Sequence, residues 1–342
     1  MTDVAILYGG REPHPVHREF AESVGADLIR VPQFTLGTVF RAIRDRPRFF
    51  YPQYDVLITE GTGALEAGIA NTLFNDTTLI FLAGGHGIHL LDSESKLEVN
   101  SNVKSAAVNA FPGVIQSLLS RNIDGVIAVS DLAAELTCRV IGPDIPTRVI
   151  HPYINDGLYD RLLDTTPDLS NKEVVTVCKS NQYKGVDLLV SAWERVIDKV
   201  PDATLHIVGA GHPEEYGYKD GIKVHGYVED LIEIFSYCTL YVQPSRIDTF
   251  PVSTLEAMAS GLPTVVTNRT GTLSEVQKVD SSLITAPDPT SLAQAITHYF
   301  SISISQRQKI SEQFRNIGSR FKKHRQCEEF ERHFKEILNE VN

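Results

Sequence analysis

The sequence lacks any uninterrupted apolar run of the roughly 18 residues that a membrane-spanning helix requires. Its first ten residues carry Asp3, have no basic flank and become Gly-rich after Tyr8, so we expect no signal peptide. The four cysteines are far apart and form no C-x-x-C pair, which argues against a structural zinc site and against a disulfide framework. These absences favour a cytoplasmic protein.

Positive charge is also in short supply. The chain has 32 Lys and Arg residues against 43 Asp and Glu residues, a formal net charge of -11. Broad nucleic-acid binding needs clustered positive charge, so we expect no nucleic-acid partner. No D-x-D motif offers a clear metal clamp, and we expect no metal and no cofactor. With 42% apolar and 22% charged residues, the composition is that of an ordinary globular protein.

The length of 342 residues predicts about two domains. Short β-branched runs alternate with helical patterns along the chain, which is typical of βαβ units with parallel sheets. In the first half the predicted strands are 4–8, 56–59, 78–83, 125–130 and 148–150, and the predicted helices are 15–24, 63–74, 103–119 and 131–140. We therefore predict an α/β protein with two doubly wound, Rossmann-like domains that face each other across a cleft.

Residues 151–172 are rich in Pro, Asn, Asp and Gly, so we interpret them as a linker. A second series follows, with predicted strands at 174–178, 204–209, 223–224, 239–243, 264–267 and 283–285, and predicted helices at 186–199, 229–237, 252–260 and 290–302. Residues 306–340 resemble one long or broken helix with an apolar stripe that includes Phe330 and Phe334. The predicted domains are 1–152 and 153–321, with a C-terminal helix at 322–342 that packs back toward the first domain.

An acidic pair follows a predicted strand in the second domain. In QPSRIDTFPVSTLEAMASG, residues 243–261, Asp248 lies in the loop and Glu256 in the helix that starts near Pro251. The N-terminus of such a helix is a ready site for a diphosphate. The alternative is equally common: Asp248 then only caps the turn and Glu256 is a solvated helix residue.

Two lysines follow the first strand of the same domain. Lys179 and Lys184 lie in CKSNQYKG, residues 178–185, on a single loop between a strand and a helix. Together they could neutralise a diphosphate leaving group. Each lysine taken singly is more commonly a solvent-exposed side chain.

These motifs resemble those of the family-four retaining glycosyltransferases. That family has a G-R-L-x-x-x-K-G loop, a segment like I-V-G-x-G-P, and P-S-x-x-E-x-F-G-x-x-x-x-E-A-M-A-x-G-x-P-V-V, in this order. The sequence has CKSNQYKG, IVGAGHP at 207–213, and PSRIDTFPVSTLEAMASGLPTVV at 244–266. The likeness is weaker at 123–136, in the N-terminal half. The resemblance to this family implies the GT-B architecture.

The resemblance also implies roles for individual residues. Glu256 would bind the ribose hydroxyls of a nucleotide, and Asp248 would touch the donor sugar. Lys179 and Lys184 would bind the diphosphate. Backbone N–H groups would hold the sugar hydroxyls, from the segment that includes Thr249, Phe250 and Val252.

Three departures from the family pattern concern the donor sugar. Asp248 is one methylene shorter than the usual Glu. Lys179 replaces an Arg and loses its bidentate fork. Pro251 replaces a Gly and removes one N–H donor. These changes leave the identity of the donor sugar open.

In the first domain, glycines follow two predicted strands. Gly9 and Gly10 come after the first strand, where the backbone could approach a diphosphate closely, although a plain turn explains them equally well. His86 stands in GGHG after the strand 78–83. The family often places a His at this strand end, so His86 could bind the donor sugar or position the acceptor, whereas a lone His is more often structural.

A basic and aromatic segment lies near residue 50. Beside Phe49, Phe50 and Tyr51 it contains Arg41, Arg44, Arg46 and Arg48. Such a patch could contact an anionic membrane at the inner face and meet a lipid-linked acceptor. A solvated charge run on a soluble surface is the more common explanation.

The resemblance implies a metal-independent, retaining hexosyltransferase that uses a UDP- or GDP-sugar and a glycan or lipid-linked acceptor. Two alternatives stay open from the residues alone. One is a nucleotide-sugar epimerase or hydrolase on the same fold. The other is a catalytically silent subunit that binds a sugar nucleotide, which the shortened Asp248 and the missing Arg make conceivable. The sequence names neither the sugar, the base, the acceptor nor the oligomeric state.

Overall fold

The computed structural model describes residues 2–10, 12–13, 15–31, 51–85 and 112–341, without the side chains of 112–115. The chain divides into two compact units. Unit 1 comprises Met1–Pro152 together with His324–Asn342, and unit 2 comprises Tyr153–Lys323.

Each unit is built on one parallel sheet, which has six strands among the described residues. In unit 1 the strand order is β2-β1-β3-β4-β5-β6. The strands are β1 Val4–Tyr8, β2 Asp27–Arg30, β3 Val56–Glu60, β4 Thr78–Ala83, β5 Gly125–Ala128 and β6 Thr147–Val149. The central strands are near-continuous apolar runs because helices cover a parallel sheet on both faces.

Unit 2 has the strand order β12-β11-β10-β7-β8-β9. Its strands are β7 Glu173–Val177, β8 Thr204–Val208, β9 Ile222–Gly226, β10 Leu240–Gln243, β11 Thr264–Thr267 and β12 Ile284–Thr285. The chain order reverses between β7 and β10, and in sheets of this kind ligands bind beyond the carboxyl ends of the strands at such a reversal. The predicted class, two doubly wound parallel-sheet domains, is confirmed.

The described helices follow the strands in the usual alternation. They are α1 Pro15–Val24, α2 Gly61–Thr72, α3 Pro112–Asn122, α4 Asp131–Ile141, α5 Asp156–Asp164, α6 Val186–Lys199, α7 Leu231–Tyr237, α8 Val252–Ala259, α9 Leu273–Gln277, α10 Pro289–Ser301, α11 Ile304–Gly318 and α12 Lys323–Val341. Short 3₁₀ turns at Gln182–Lys184, Glu214–Tyr218 and Ser281–Leu283 complete the described elements.

The last helix, α12, belongs to unit 1. Phe330 of α12 stacks on Phe20 of α1 with ring centroids 4.4 Å apart. Ile337 occupies the space above Gly125 so closely that a Cβ at Gly125 would lie 2.4 Å from its Cγ2. Arg148 on β6 donates to the Glu336 carboxylate over 3.0 Å. The apolar stripe of the tail therefore packs into the core of unit 1.

In unit 2, two pairs of helices pack closely, and one of them includes α8, the helix that contains Glu256. Helix α11 packs on α8, and α6 packs on α10. The fully buried side chains of this core include Trp193, Tyr241 and Tyr299.

The interpretation of residues 151–172 as a linker was wrong, because the segment contains α5. The Asn155 side chain caps this helix by accepting from the Gly157 N–H over 2.9 Å. Tyr159 and Leu162, three residues apart, are buried. The Asn and Gly residues that indicated a linker thus start a helix, whose two buried side chains are too few for a strong periodic signal.

Two further elements, β2 and α9, were not predicted, and the structure shows where the predicted C-terminal helix is divided. Strand β2 is a short edge strand with a charged residue at each end, so it has little apolar pattern. Helix α9 has only five residues. The tail predicted as one long or broken helix is two helices, α11 and α12.

We expect Gly318→Ala to destabilise unit 2. A Cβ at this last residue of α11 would lie 2.3 Å from the backbone nitrogen of Ala259 in α8, and backbone cannot move aside cheaply. Overpacking of this kind costs about 1–3 kcal/mol of unfolding free energy, measured by urea denaturation. The control is Gly217→Ala, whose Cβ would lie 3.8 Å from Val224 Cγ2. Equal stability of the two variants would contradict the tight α8–α11 contact.

Candidate functional site

Three loops of unit 2 meet at the carboxyl edge of its sheet, and two glycines set their distance. A Cβ at Gly209, after β8, would lie 1.8 Å from the carbonyl oxygen of Cys178. A Cβ at Gly185 would lie 2.1 Å from the carbonyl oxygen of Pro244, after β10. Both glycines also have positive φ, +133° and +66°, which other residues rarely adopt. The loop 178–185 is thus held against both neighbouring loops.

Polar contacts fix the same loop. The N–H of Ser180 donates to the carbonyl of Ala210 over 2.9 Å, and the N–H of Arg246 donates to the carbonyl of Tyr183 over 2.8 Å. The Arg246 guanidinium forms a bidentate pair with Asp187, with distances of 2.7 and 2.6 Å. The hydrogen bonds and charge of Arg246 lower the pKa of the Asp187 carboxyl, although burial opposes them. Arg246 therefore joins the loop after β10 to the start of α6.

The structure brings two predicted site residues, Lys184 and Asp248, into direct contact. Lys184 Nζ lies 2.5 Å from Asp248 Oδ2, and the side chain of Asp248 is only 4% exposed. The backbone of Asp248 is anchored as well, because its N–H donates to the Arg269 carbonyl and its carbonyl accepts from the Gly271 N–H. The carboxylate is therefore fixed on one side by backbone and on the other by an ammonium group.

Lys179 is exposed on the same loop. Its ammonium group makes no ion pair within the part of the chain that the structure describes. The two lysines thus differ: Lys184 is bound by a carboxylate, whereas Lys179 extends into solvent.

Helix α8 begins beside these groups. Pro251 is its N-cap residue and supplies no capping side chain, so the first N–H groups of the helix lack the usual side-chain acceptor. The Ser253 hydroxyl donates to the Val177 carbonyl at the end of β7 over 3.1 Å. It also lies 2.9 Å from the hydroxyl of Tyr241 on β10. The amino end of α8 is therefore attached to both strands that flank the sheet reversal.

Glu256 lies in the second turn of α8. Burial raises the pKa of its carboxyl to about 7, and no charged partner offsets this effect. Among the described residues its carboxylate has no ion pair and no hydrogen-bond donor. An ionised carboxylate without a hydrogen-bond donor lowers the stability of the folded protein, and a ligand that donates hydrogen bonds to it would offset this cost.

The other predicted residues are distributed as follows. Thr249 and Phe250 are buried, and the ring of Phe250 lies 6.1 Å from that of Phe321. Val252 is the first residue of α8. Gly9 and Gly10 are exposed at the end of β1 in unit 1. His86, Arg41, Arg44, Arg46 and Arg48 lie outside the described residues.

The sequence analysis missed a pair of titratable residues in unit 1. Glu60 ends β3, next to the reversal of chain order between β1 and β3. Its Oε2 lies 3.6 Å from Nδ1 of His17, and burial raises the pKa of the Glu60 carboxyl. Its position between a predicted strand and Gly61 was a usable signal, because it follows the same strand-end logic as Asp248.

Other groups at these edges are less suited to chemistry. Burial raises the pKa of the Cys178 thiol to about 12, so Cys178 is not a thiolate at neutral pH. In the described ranges no three His, Cys, Asp or Glu side chains are grouped as metal ligands would be. None of the helices described is both long and apolar enough to cross a membrane.

Comparison with known proteins finds a family match for part of unit 2. Residues 171–301 match the family model for glycosyl transferases group 1. The chain is similar to mannosylfructose-phosphate synthase of Agrobacterium fabrum, with 29% identity over 178 residues. That match covers 44% of this chain and 39% of the Agrobacterium protein, so the chain spans less than half of this relative's length.

Two solved structures share the fold over nearly the whole chain. Sucrose-phosphate synthase from Thermosynechococcus elongatus superposes with a TM-score of 0.73 at 15% identity, covering 99% of this chain and 100% of that one. Anabaena HepE, solved in complex with UDP-glucose, gives a TM-score of 0.71 at 17% identity with the same coverage. The fold is GT-B, and the predicted architecture is confirmed. Within unit 2, residues 171–301 are similar to glycosyl transferases group 1.

We expect Lys184→Met to destabilise the protein by roughly 3 kcal/mol at pH 7, because it leaves the buried Asp248 carboxylate unpaired. The double variant Lys184→Met/Asp248→Asn should recover part of this loss. Urea denaturation measures both. The control is Lys219→Met, which removes an exposed pair with Glu194 and should leave the midpoint unchanged. Similar losses for Lys184→Met and Lys219→Met would show that the Lys184–Asp248 pair is not a buried one.

The raised pKa of Glu256 predicts a pH-dependent effect of Glu256→Gln on stability. A folded-state pKa of about 7, against an ordinary value of 4.5, means that the stability due to Glu256 is complete below pH 4.5 and is lost as pH rises through 7. The Gln variant should therefore match the native protein near pH 4.5 and exceed it at pH 8, by up to about 3 kcal/mol of unfolding free energy.

Urea midpoints at the two pH values measure this difference. The control is Glu312→Gln at an exposed position of α11, which should show no such trend. A pH-independent difference for Glu256→Gln would mean that Glu256 is not a desolvated carboxyl.

Proposed function

We propose that the protein is a retaining glycosyltransferase that moves a hexose-type sugar from a UDP- or GDP-sugar to a glycan or lipid-linked acceptor. The observation that carries the proposal is the half-buried Glu256 carboxyl, which lacks a partner among the described residues and lies in the helix that starts beside the Lys184–Asp248 pair. A nucleotide would supply two hydroxyl donors for the Glu256 carboxylate and a diphosphate for the positive groups at this edge of unit 2.

Most of the donor would be held by groups of unit 2. The ribose hydroxyls would donate to the Glu256 carboxylate, which lowers the free-energy cost of ionising this half-buried group. The diphosphate would lie at the amino end of α8, where a helix end and its N–H groups favour anions. Lys179 and Lys184 would add positive charge to the same region. Backbone N–H groups at Thr249, Phe250 and Val252 would bind sugar hydroxyls.

The chemical step is the departure of the nucleoside diphosphate. Charge that develops on the leaving oxygen would be stabilised by Lys184 and the amino end of α8, which are in place before the reaction, and by the exposed Lys179. This mode of stabilisation needs no metal. Asp248, which the Lys184 ammonium holds in position, would lie against the donor sugar. We propose retention of the anomeric configuration, as in the enzymes that share these motifs.

The similarity to known proteins supports a sugar-nucleotide donor. HepE was solved with UDP-glucose, and mannosylfructose-phosphate synthase is by its name a glycosyl-transferring enzyme. The match to a group 1 glycosyl transferase model covers the residues that form the site in unit 2. The departures at Asp248, Lys179 and Pro251 alter contacts on which the choice of donor sugar would depend.

The acceptor would be bound by groups of unit 1. The candidates are Glu60 with His17 after β3, and His86 from the sequence motif. Contact of the Arg41–Arg48 segment with an anionic membrane remains a prediction from sequence, as does a cytoplasmic location at its inner face. Equal recovery of the protein in the supernatant with neutral and anionic vesicles would remove the membrane contact.

One assay separates transfer from its alternatives. The protein is incubated with UDP- and GDP-sugars, with and without lipid and glycan extracts, and the release of nucleotide and labelled product is followed. We expect release that depends on acceptor. Release without acceptor would indicate an epimerase or hydrolase. Measurable nucleotide binding without release would indicate a silent subunit, a role in which Lys184 stays occupied by Asp248.

Donor binding has its own test. Glu256→Ala should abolish nucleotide binding in a calorimetric titration, because the ribose hydroxyls lose their acceptor. Glu312→Ala, on an exposed face of unit 2, is the matched control and should bind as the native protein does. Unchanged affinity in Glu256→Ala would overturn the assigned role of Glu256.

A further inference from the structure

A cavity of unit 2, separate from the proposed nucleotide site, lies at the other edge of the sheet, where the strands begin. It has a volume of about 660 Å³. Ser170 and Lys172 line it from the segment that precedes β7, Lys199 from the end of α6, and Ser301 from the end of α10. Arg307 of α11 completes it. A volume of this size accommodates a small organic molecule.

The lining of this cavity is positively charged. Its lining contains Lys172, Lys199 and Arg307 together with His298, and it contains no Asp or Glu. The whole chain, by contrast, has a formal net charge of -11. Only Lys172 has an acidic partner, Asp202, at 3.2 Å, and that carboxylate is 85% exposed. A local excess of positive charge therefore lines an open pocket.

Arg307 is the buried member of this group. Its residue is 7% exposed. Two of its guanidinium nitrogens donate to the carbonyls of Leu169 and Phe300, and the guanidinium lies 4.9 Å from the ring centre of Tyr299. Its Nε–H has no hydrogen-bond acceptor, and within the described ranges no carboxylate lies within ion-pair distance. A buried cation without a counter-ion is costly unless an anion is supplied from outside.

We propose that this cavity is a binding site for a phosphate monoester, distinct from the nucleotide site. Arg and Lys together are the side chains that bind phosphate groups most readily. The ring of Phe300 in the same lining offers an apolar face beside these cations. A phosphorylated sugar or another phosphorylated small molecule has both features.

The two sites are separate along the fold. Helix α6 starts at Val186, directly after the loop that contains Lys184, and ends at Lys199 in the cavity wall. Its 14 residues correspond to about 21 Å at 1.5 Å per residue. A ligand in the cavity therefore does not touch the residues proposed to bind the donor, and each site can be altered alone.

The test measures binding of inorganic phosphate and glucose 6-phosphate to the full chain by calorimetry, with UDP present to occupy the donor site. Lys199→Glu reverses the charge of an exposed lining residue, and we expect it to weaken phosphate binding at least tenfold. Lys309→Glu makes the same charge change on an exposed part of α11 outside the lining and should leave the affinity unchanged. Equal affinities for the two variants would overturn the proposal, and so would native protein that binds neither the soluble phosphates nor vesicles containing phosphatidic acid.

Two further measurements assign the source of the phosphate. Glucose is the uncharged control, and its failure to bind shows that the phosphate group is recognised. Vesicles containing phosphatidic acid present the same monoester on a lipid. Co-sedimentation that requires Lys199, without binding of glucose 6-phosphate, would assign the site to a lipid headgroup. UDP affinity of Lys199→Glu should equal that of the native protein, so failure of the donor proposal and failure of this one are distinguishable.

Discussion

The buried ion pair between Lys184 and Asp248 is the interaction on which the site in unit 2 depends. It joins the loop after β7 to the loop after β10, the two strands between which the chain order reverses. The Asp248 carboxylate would be costly alone in this position, because it is almost fully removed from water and its charge needs a counter-ion. Folding of the two loops therefore delivers an ammonium group and a carboxylate to one place, with the amino end of α8 beside them.

The pair also explains how a binding site can be ready before its ligand arrives. Lys184 is held by Asp248, the loop 178–185 is held by the close approaches at Gly185 and Gly209, and Ser253 ties α8 to β7. Glu256 is the exception, since its carboxyl is half-buried with no donor among the described residues. For the proposed nucleotide donor, this means a rigid frame around one unsatisfied acidic group, and only a ligand with suitably placed hydroxyls would remove the penalty.

Much of the fold could be predicted because most elements are long apolar runs or strongly periodic helices. Strands such as β1 and β4, and helix α6, were predicted with their observed bounds. Strand β2 and helix α5 could not be, since a four-residue edge strand and a helix with two buried side chains carry little periodicity. For the site, strand-end position and motif spacing indicated Lys184, Asp248 and Glu256. The direct pairing of Lys184 with Asp248, and the closeness of Glu60 to His17, depend on side-chain geometry that spacing does not encode.

The return of α12 to unit 1 has a consequence for biosynthesis. Phe330 and Ile337 fill the space beside Phe20 and Gly125, so unit 1 is made from two segments separated by the whole of unit 2. During translation all of unit 2 leaves the ribosome before this last helix does. The unit whose strands are synthesised first is therefore the unit whose core closes last, and until then the nascent chain exposes the apolar surface that α12 will cover.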